Sequence, residues 1–471
     1  MLQFPMKVNV LRFNENGSYF FFDVDSGILG KSSPMLDKII EQLPYFNIKK
    51  IIENLSDKYS AEDIESGIAV LNSLHEKQGM FISRKSLFTQ GKGLSKRVSH
   101  LWLNVAHDCN MRCIYCYAHG GNYGGEKLEM NITTAKKCID YWKENLSDGP
   151  VSYVSFFGGE PFMNREVIKF SIEYIKEILA DANRKLVFNM TTNGTIYDEA
   201  FVEFLADNNV ELLFSIDGND QIQNHNRPLA SGIGSYKIIE NNIPKFKNKF
   251  KKLRATIVLT KENASRLKES VMHLWNLGFN DVACSLAITS DENLYVSGAD
   301  LPGIHEQISE INQMMYENIR NRKHCFFSNT YKYCVSMHNK LIGAECSFQT
   351  DNALMFTPSG DIHKCHRLID CNEFSLGNIS NAEKWEDINK QFVNPVEERP
   401  CNDCWALQLC GGGCAHEGYV YHNDLNTPYD VTCNHTKFMI EDAFKLYARV
   451  YSHSPSLVDE VFSNNKYYKR L

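Results

Sequence analysis

Three cysteines lie close together about a quarter of the way along the chain, and their spacing suits one metal centre. Cys109, Cys113 and Cys116 follow the pattern C-x3-C-x2-C, directly after the apolar run Leu101–Ala106, and Tyr115 precedes the third. A four-iron cluster has one iron more than this trio has thiolates, so one iron stays free for another ligand. The spacing alone also allows a zinc knuckle, or thiols kept reduced by the cytosol.

A second group of cysteines occupies the segment 346–433. Four of its members follow the regular spacing C-x2-C-x5-C-x3-C, and three consecutive glycines separate the last two of them. A lone C-x2-C pair with cysteines downstream would suit zinc equally well. The eight members are Cys346, Cys365, Cys371, Cys401, Cys404, Cys410, Cys414 and Cys433.

Composition narrows the class of protein. The chain has 471 residues, enough for two or three domains, with 43% apolar and 23% charged residues, as in ordinary globular proteins. Its net charge of −7 gives no case for binding nucleic acid or an anionic membrane. No signal peptide opens it, and no apolar run approaches about 18 residues. We therefore predict a cytoplasmic protein, in which fifteen cysteines argue against a disulfide framework.

Residues 1–82 are predicted to form a small α+β unit. Two β-rich runs, Val8–Phe13 and Ser18–Val24, flank an Asn-Gly pair that is typical of a hairpin. Helical periodicity follows in Met35–Gln42, Ile48–Leu55 and Ala61–Lys77. This order resembles the winged-helix modules that grip leader peptides in peptide-modifying enzymes, and a purely structural cap is the alternative. Residues 83–99 have the composition of a linker.

From Leu101 onward, apolar runs alternate with amphipathic stretches, which predicts parallel strands with helical crossovers. Six such strands predict an α/β fold with a partial (β/α)6 barrel over residues 100–299, whose site lies at the carboxyl ends of the strands. The predicted strands are Leu101–Ala106, Val151–Phe157, Leu186–Met190, Leu212–Ile216, Ala255–Leu259 and Asp281–Leu286. The predicted helices are Thr133–Asn145, Arg165–Leu179, Ala200–Asn208 and Arg266–Leu277.

Small and polar residues follow three of these strands, where a bound cofactor would lie. The second strand ends in Gly158-Gly159-Glu160-Pro161, and such glycines let the backbone approach a ligand closely. Asn193 lies in a Thr-Asn-Gly turn after the third strand. Ser215 opens a Ser-x-Asp-Gly turn after the fourth, and Arg227 follows. A carboxylate such as that of Glu160 accepts hydrogen bonds from an ammonium group.

These motifs together resemble the radical SAM superfamily over about residues 100–290. The resemblance implies that Cys109, Cys113 and Cys116 hold a [4Fe–4S] cluster, whose free iron binds S-adenosylmethionine (SAM), and that its reduction yields a 5′-deoxyadenosyl radical. It also implies SAM contacts: Gly158, Gly159 and Glu160 near the amino group, Asn193 and Ser215 near the ribose, and Arg227 near the carboxylate.

The second cysteine group resembles the SPASM domain, which follows radical SAM barrels and binds two auxiliary [4Fe–4S] clusters. By this resemblance the outer cluster is held by Cys401, Cys404, Cys410 and Cys433. The inner cluster is held by Cys346, Cys365 and Cys414. The total is three [4Fe–4S] clusters, and the inner one has three protein ligands. Its open position would suit a substrate thiolate, or Cys371 fills it. His366 and His416 are candidates for proton transfer, with hydrogen bonding to the ligand cysteines as the alternative role.

The predicted function is a radical SAM enzyme that installs thioether crosslinks in a ribosomally synthesised precursor peptide. Its leader would bind residues 1–82, residues 300–345 would bridge the barrel to the SPASM domain at 346–436, and residues 437–471 would form a C-terminal helix and tail. An electron donor such as flavodoxin or ferredoxin is the expected protein partner. The alternatives are carbon–carbon crosslinking, formylglycine formation in sulfatases, or a zinc-dependent binding protein without enzymatic activity.

Overall fold

The computed structural model describes residues 9–15, 17–43, 47–81, 98–341, 346, 352–382, 399–401 and 403–463. The predicted linker therefore lies almost wholly outside the described residues. No helix within these ranges has both the length and the apolar composition needed to cross a membrane.

The N-terminal unit is a three-stranded antiparallel sheet covered by three helices. Its elements are β1 (Val10–Glu15), β2 (Ser18–Asp23), β3 (Ile28–Ser32), α1 (Pro34–Glu41), α2 (Ile48–Leu55) and α3 (Ala61–Gln78). The predicted hairpin is confirmed, since Glu15 pairs with Ser18 across the turn. The long third helix is also confirmed: the Ser60 side chain caps its first turn, and Gly79 ends it in the left-handed conformation. The sequence prediction missed β3.

The central body is a nine-stranded sheet, and its six inner strands are the predicted parallel ones. These are β4 (His100–Ala106), β5 (Val151–Gly158), β6 (Lys185–Thr192), β7 (Glu211–Ser215), β8 (Arg254–Leu259) and β9 (Asp281–Leu286), adjacent in sequence order. Added at the edges are β10 (Phe326–Phe327) beside β9 and the pair β11 (Ala353–Phe356) and β12 (Ile362–His363) beside β4. The predicted α/β barrel architecture is confirmed, and the sheet extends beyond it because β11 pairs in parallel with β4.

Helices cover this sheet and contribute its core. They are α4 (Ile132–Glu144), α5 (Arg165–Ile178), α6 (Glu199–Asp207), α7 (Asp220–Asn226), α8 (Tyr236–Lys249), α9 (Leu267–Leu277), α10 (Leu301–Arg320) and α11 (Ser328–His338). All four predicted crossover helices are present, and α7 and α8 were not predicted. The core is continuous from the barrel into α10 and α11, whose buried residues include Ile308 and Tyr331.

The C-terminal region is mainly helical. Its helices are α12 (Leu407–Cys410), α13 (Ala415–His422), α14 (Asp430–His453) and α15 (Pro455–Phe462). The tail predicted to follow the C-terminal helix contains a further helix, α15, because Leu457, Val458 and Phe462 repeat at helical spacing and are buried.

The N-terminal unit packs on α14. Phe444 lies against Phe13 and Phe22, with ring centroids 5.0 and 5.2 Å apart. Farther along the helix, Arg449 Nε donates to Glu15 Oε1 at 2.6 Å. The N-terminal unit is therefore anchored to a helix in the C-terminal region of the chain.

Candidate active site

A strand-like segment after α7 supports the loop that carries the three-cysteine motif. Met111 and Leu229 form an antiparallel bridge. Around it, the Arg112 amide donates to the Pro228 carbonyl at 2.8 Å, and the Ala230 amide donates to the Asn110 carbonyl at 2.9 Å. The cysteine loop is thus held by backbone hydrogen bonds to a segment more than a hundred residues away.

Glycines let this loop lie against the end of β5. Gly158 has φ +132°, and a Cβ there would lie 2.3 Å from the Ala106 carbonyl oxygen. A Cβ on Gly159 would lie 2.0 Å from the Asp108 carbonyl oxygen. Both approaches are too close for any side chain, so only glycine permits this backbone packing. This glycine cradle, formed by Gly158 and Gly159, brings the main chain of the Gly-Gly-Glu turn next to Cys109. A ligand that contacts both the turn and a metal bound to Cys109 would require this proximity.

Glu160 lies in the floor of the site and is buried. Its Oε1 accepts hydrogen bonds from Thr192 Oγ1 at 2.9 Å and from the Phe162 amide at 3.0 Å. Its Oε2 accepts from the Asn193 amide at 2.7 Å. Burial raises the pKa of the carboxyl group to about 7, and these hydrogen bonds oppose the rise.

Asp217, from the Ser-x-Asp-Gly turn, joins three parts of the site. It is fully buried, and its Oδ2 accepts from the Tyr115 hydroxyl at 2.5 Å. Its Oδ1 pairs with Arg227 Nη2 at 3.0 Å and accepts from the Val258 amide at 2.9 Å. The Arg227 guanidinium also lies 5.2 Å from the centroid of the Tyr115 ring. Arg227, expected near the SAM carboxylate, is thus neutralised by a buried partner that the sequence prediction did not single out.

All the residues predicted for the first cluster and for SAM line one cavity of about 340 Å³ at the carboxyl ends of the strands. His366, from the SPASM region, lines the same cavity, whereas the other histidine candidate, His416, contacts it indirectly through Tyr117, 6.4 Å away between ring centroids. The predicted members that line the cavity are Cys109, Cys113, Cys116, Gly158, Gly159, Glu160, Asn193, Ser215 and Arg227.

Two of the three thiols of the loop, those of Cys109 and Cys113, lie in a poorly hydrated environment. Burial raises the pKa of Cys109 to about 12, and nearby Glu160 adds to the rise. Burial also raises the pKa of Cys113 to about 11, while Arg227 opposes it. Thiolates crowded together in such a place need a bound cation to hold their charge. The glycine cradle and this donor set therefore fit a metal cluster with a small ligand beside it.

The thiols of the C-terminal cysteines interact electrostatically in two groups, and the assignment of these groups to clusters stays a prediction. In the outer set, burial raises the pKa of Cys433 to about 12, with contributions from Cys410 and Cys401, and Cys404 likewise acts on Cys401. In the inner set, burial raises the pKa of Cys365 to about 12, with contributions from the neighbouring Cys414 and Cys346. Cys414 thus belongs with Cys346 and Cys365, although it follows Cys410 by only four residues.

Cys371 packs in the same apolar cluster as Cys346 and Cys365. Its thiol, however, lies 3.6 Å from Asp370 Oδ1, and burial with this carboxylate raises its pKa to about 11. After burial, Asp370 has the largest effect on this pKa. Cys371 therefore adjoins the inner set through its packing, while its sulfur interacts with Asp370.

Both candidate histidines are uncharged. Burial lowers the pKa of His366 to about 3, and the positive charge of Arg367 adds to the effect. Burial likewise lowers the pKa of His416 to about 3. His366 stacks on Trp102 with ring centroids 5.0 Å apart and packs on Phe157 at the same distance. It is held rigidly between two aromatic rings of the barrel.

The cavity residues that escaped the sequence prediction include Trp102, Tyr117, Phe157 and Arg367. Successive side chains on a strand point to opposite faces of the sheet. Following this alternation along β4 and β5 could have identified Trp102 and Phe157 as side chains that face the barrel interior. Tyr117 directly follows Cys116. Arg367 carries no such signal, because it enters the site from a distant segment.

Among the described residues, no three His, Cys, Asp or Glu side chains converge as they would around a single metal ion.

Comparison with known proteins agrees with this geometry. Residues 103–294 match the profile of the Radical SAM superfamily. An uncharacterized protein of Methanocaldococcus jannaschii is 27% identical over 313 residues, which cover 64% of this chain and 94% of that protein. The cysteine-type anaerobic sulfatase-maturating enzyme of Clostridium perfringens (strain 13 / Type A) is 22% identical over 336 residues, or 65% of this chain and 85% of the enzyme.

The fold is shared with a solved structure, native anSMEcpe with bound AdoMet (SAM) and Cp18Cys peptide. The TM-score is 0.60 at 18% identity, with 75% of this chain and 99% of the other covered. Identity this low speaks for the fold alone. Residues 103–294 therefore match the Radical SAM superfamily, and the fold shared with this solved structure agrees with that match.

Proposed function

We propose that this enzyme installs thioether crosslinks in a ribosomally synthesised precursor peptide. One observation carries the proposal: the inner set has three cysteines and lies beside the cavity, which His366 and Arg367, the two residues after Cys365, help to line. A fourth coordination position next to a radical site suits the thiolate of a peptide cysteine. Ten cysteines would then hold three [4Fe–4S] clusters, the first from the barrel and two from the SPASM domain.

The bound cofactors would supply a 5′-deoxyadenosyl radical that removes hydrogen from a carbon of the peptide. The protein's own residues bind and orient the reactants. Glu160 offers a buried carboxylate to the SAM ammonium group, while Asn193 and Ser215 line the cavity where its ribose would lie. The rings of Trp102 and Phe157 line the same cavity and would limit the access of water, which protects a carbon radical from side reactions.

The N-terminal unit supports a peptide substrate. Its strand β3 is an edge strand of the three-stranded sheet, paired only with β2 among the described residues. An extended peptide can add to such an edge through main-chain hydrogen bonds. We therefore assign leader recognition to residues 1–82, the barrel to 100–299, the bridge to 300–345 and the SPASM domain to 346–436, with 83–99 as linker and 437–471 as tail.

The test is co-expression with the short peptide encoded beside the gene, followed by mass spectrometry. A thioether removes two hydrogens per crosslink and leaves a cysteine that iodoacetamide cannot alkylate. Loss of two hydrogens with every thiol still alkylated would instead indicate carbon–carbon crosslinks. An unmodified peptide, in the presence of a flavodoxin or ferredoxin donor, would refute peptide crosslinking altogether.

Formylglycine formation is the second candidate. The similarity to the sulfatase-maturating enzyme of Clostridium perfringens along 65% of this chain favours it. This reaction removes the sulfur atom of the target cysteine, whereas thioether formation keeps it, so the two products differ in elemental composition. A synthetic sulfatase-type cysteine peptide, converted to an aldehyde that reacts with hydrazide reagents, would establish it.

Metal analysis separates both candidates from a zinc-dependent binding protein. Three four-iron clusters correspond to about twelve irons per chain in anaerobically reconstituted enzyme, and a single cluster to about four. Replacing Cys401 and Cys433 together should lower the iron content by about four atoms. A constant zinc content near one per chain with no iron would contradict both enzymatic functions.

A further inference from the structure

One positive charge in the cavity has no close carboxylate partner among the described residues. Of the charged lining residues, Glu160 is satisfied by three donors, and Arg227 is paired with Asp217 at 3.0 Å. The third is Arg367. In the described part of the chain its guanidinium forms no ion pair with a carboxylate, although the buried Glu417 and the thiols of Cys414 and Cys365 act on its charge. A ligand that brings a negative charge into direct contact would stabilise this partly buried guanidinium further.

Arg367 is also held in a fixed position. Its guanidinium carbon lies 5.3 Å from the centroid of the Tyr117 ring, and its own amide donates to Cys365 Sγ at 3.4 Å. Tyr117 is one residue from Cys116 of the first cluster motif. The cation therefore lies between the radical SAM loop and the inner cysteine set, beside the aromatic rings of Trp102 and Phe157, and its orientation is set before substrate arrives.

We infer that Arg367 binds an anionic side chain of the peptide substrate, a carboxylate or a cysteine thiolate, at the wall of the cavity. The guanidinium plane suits a two-oxygen carboxylate, and it would equally hold a thiolate beside the inner set. The inference rests on the proposed function insofar as it takes a peptide as substrate. It adds that the residue entering the cavity is acidic or a thiol, rather than apolar.

Two other roles compete. The first is charge balance alone, because the charge of Arg367 acts on the thiols of Cys414 and Cys365. The second is binding of the carboxylate of SAM. The competing roles of Arg367 predict changes in different measured quantities. An experiment without turnover therefore distinguishes these roles, and its result does not depend on whether crosslinks form.

The experiment uses anaerobically reconstituted, SAM-loaded enzyme and four fluorescein-labelled synthetic peptides read by anisotropy. One pair of peptides differs only by Asp against Asn, and the other only by Cys against Ser. We expect one pair to differ about tenfold in Kd, because a charge-assisted hydrogen bond is worth that much or more. The pair that responds identifies carboxylate or thiolate as the anion.

Arg367→Gln should abolish this difference and Arg367→Lys should restore part of it, with the Kd of SAM and the iron content unchanged. The matched control is Arg320→Gln, since Arg320 also stacks on a tyrosine ring, Tyr316 at 5.6 Å, but lies outside the cavity lining. Equal Kd values within both pairs in wild-type enzyme would overturn the inference. So would a difference that survives in Arg367→Gln, or a variant that changes only SAM affinity or only cluster potential.

Discussion

Replacing Asp217 with asparagine tests how the cysteine loop is held. The substitution removes the buried negative charge that pairs with Arg227. It also replaces the oxygen that accepts a hydrogen bond from the Asn226 side-chain amide with an NH2 group, so that two donors face each other. Breaking a buried ion pair from one side costs about 3–5 kcal/mol. Tyr115→Phe removes only one hydrogen bond to the charged carboxylate, worth about 1.5–3 kcal/mol, and leaves the remaining donors to Asp217 in place.

The assay is hydrogen exchange of the main chain around Cys113 in the metal-free protein. If the loop opens locally, its protection should fall by about two to nearly four powers of ten in Asp217→Asn, and by about one to two in Tyr115→Phe. Tyr236→Phe is a matched control, because its hydroxyl also contacts a carboxylate, Glu240, on a surface helix. Equal protection in wild type and Asp217→Asn would refute the view that this carboxylate holds the loop.

Three further changes have defined outcomes. Gly159→Ala should prevent retention of the first cluster, because its Cβ would lie 2.0 Å from a carbonyl oxygen. The measurement is the iron content, which should fall by about four atoms per chain. The control Gly298→Ala should leave the iron content unchanged, because a Cβ at Gly298 would lie in open space. Phe444→Ala should raise hydrogen exchange in β1 and β2 by about two to nearly four powers of ten, since losing a buried phenylalanine costs about 3–5 kcal/mol; unchanged exchange there would contradict docking on α14. Because burial raises the pKa of Glu160 to about 7, the carboxyl group is increasingly protonated below that pH and loses the negative charge that attracts an ammonium group. SAM affinity measured by equilibrium dialysis should therefore fall about tenfold per pH unit below pH 7 and level off above it. Glu160→Gln should remove this slope, and a slope that persists would exclude Glu160 as its source.

The sequence predicts the barrel well because each inner strand contains an apolar run that lies between amphipathic helical stretches. Edge strands lack that property. The two-residue β10 and the short β12 form only because β9 and β11 are already in place to pair with them. The strand β3, with sequence Ile-Leu-Gly-Lys-Ser, has too little alternation to be recognised and is specified by its pairing with β2.

The residues of the candidate site also differ in whether the local sequence predicts them. The glycines after β5 and the cysteines have fixed spacing, so local sequence is enough to predict them. Asp217 was visible in its turn, but its role depends on Tyr115 and Arg227, which chain folding brings to it from both sides in sequence. Arg367 reaches the cavity because β11 adds to the barrel sheet beside β4. No periodicity within one segment encodes such long-range placement.

Helix α14 joins two ends of the proposed reaction path. Cys433 lies in its first turns, and Phe444, which docks the N-terminal sheet, follows eleven residues later, a rise of about 16 Å along a helix. Because this helix is rigid, the enzyme sets the distance between the bound leader and the modified residue. Peptides whose spacer is too short to bridge that span would bind by their leader and still stay unmodified.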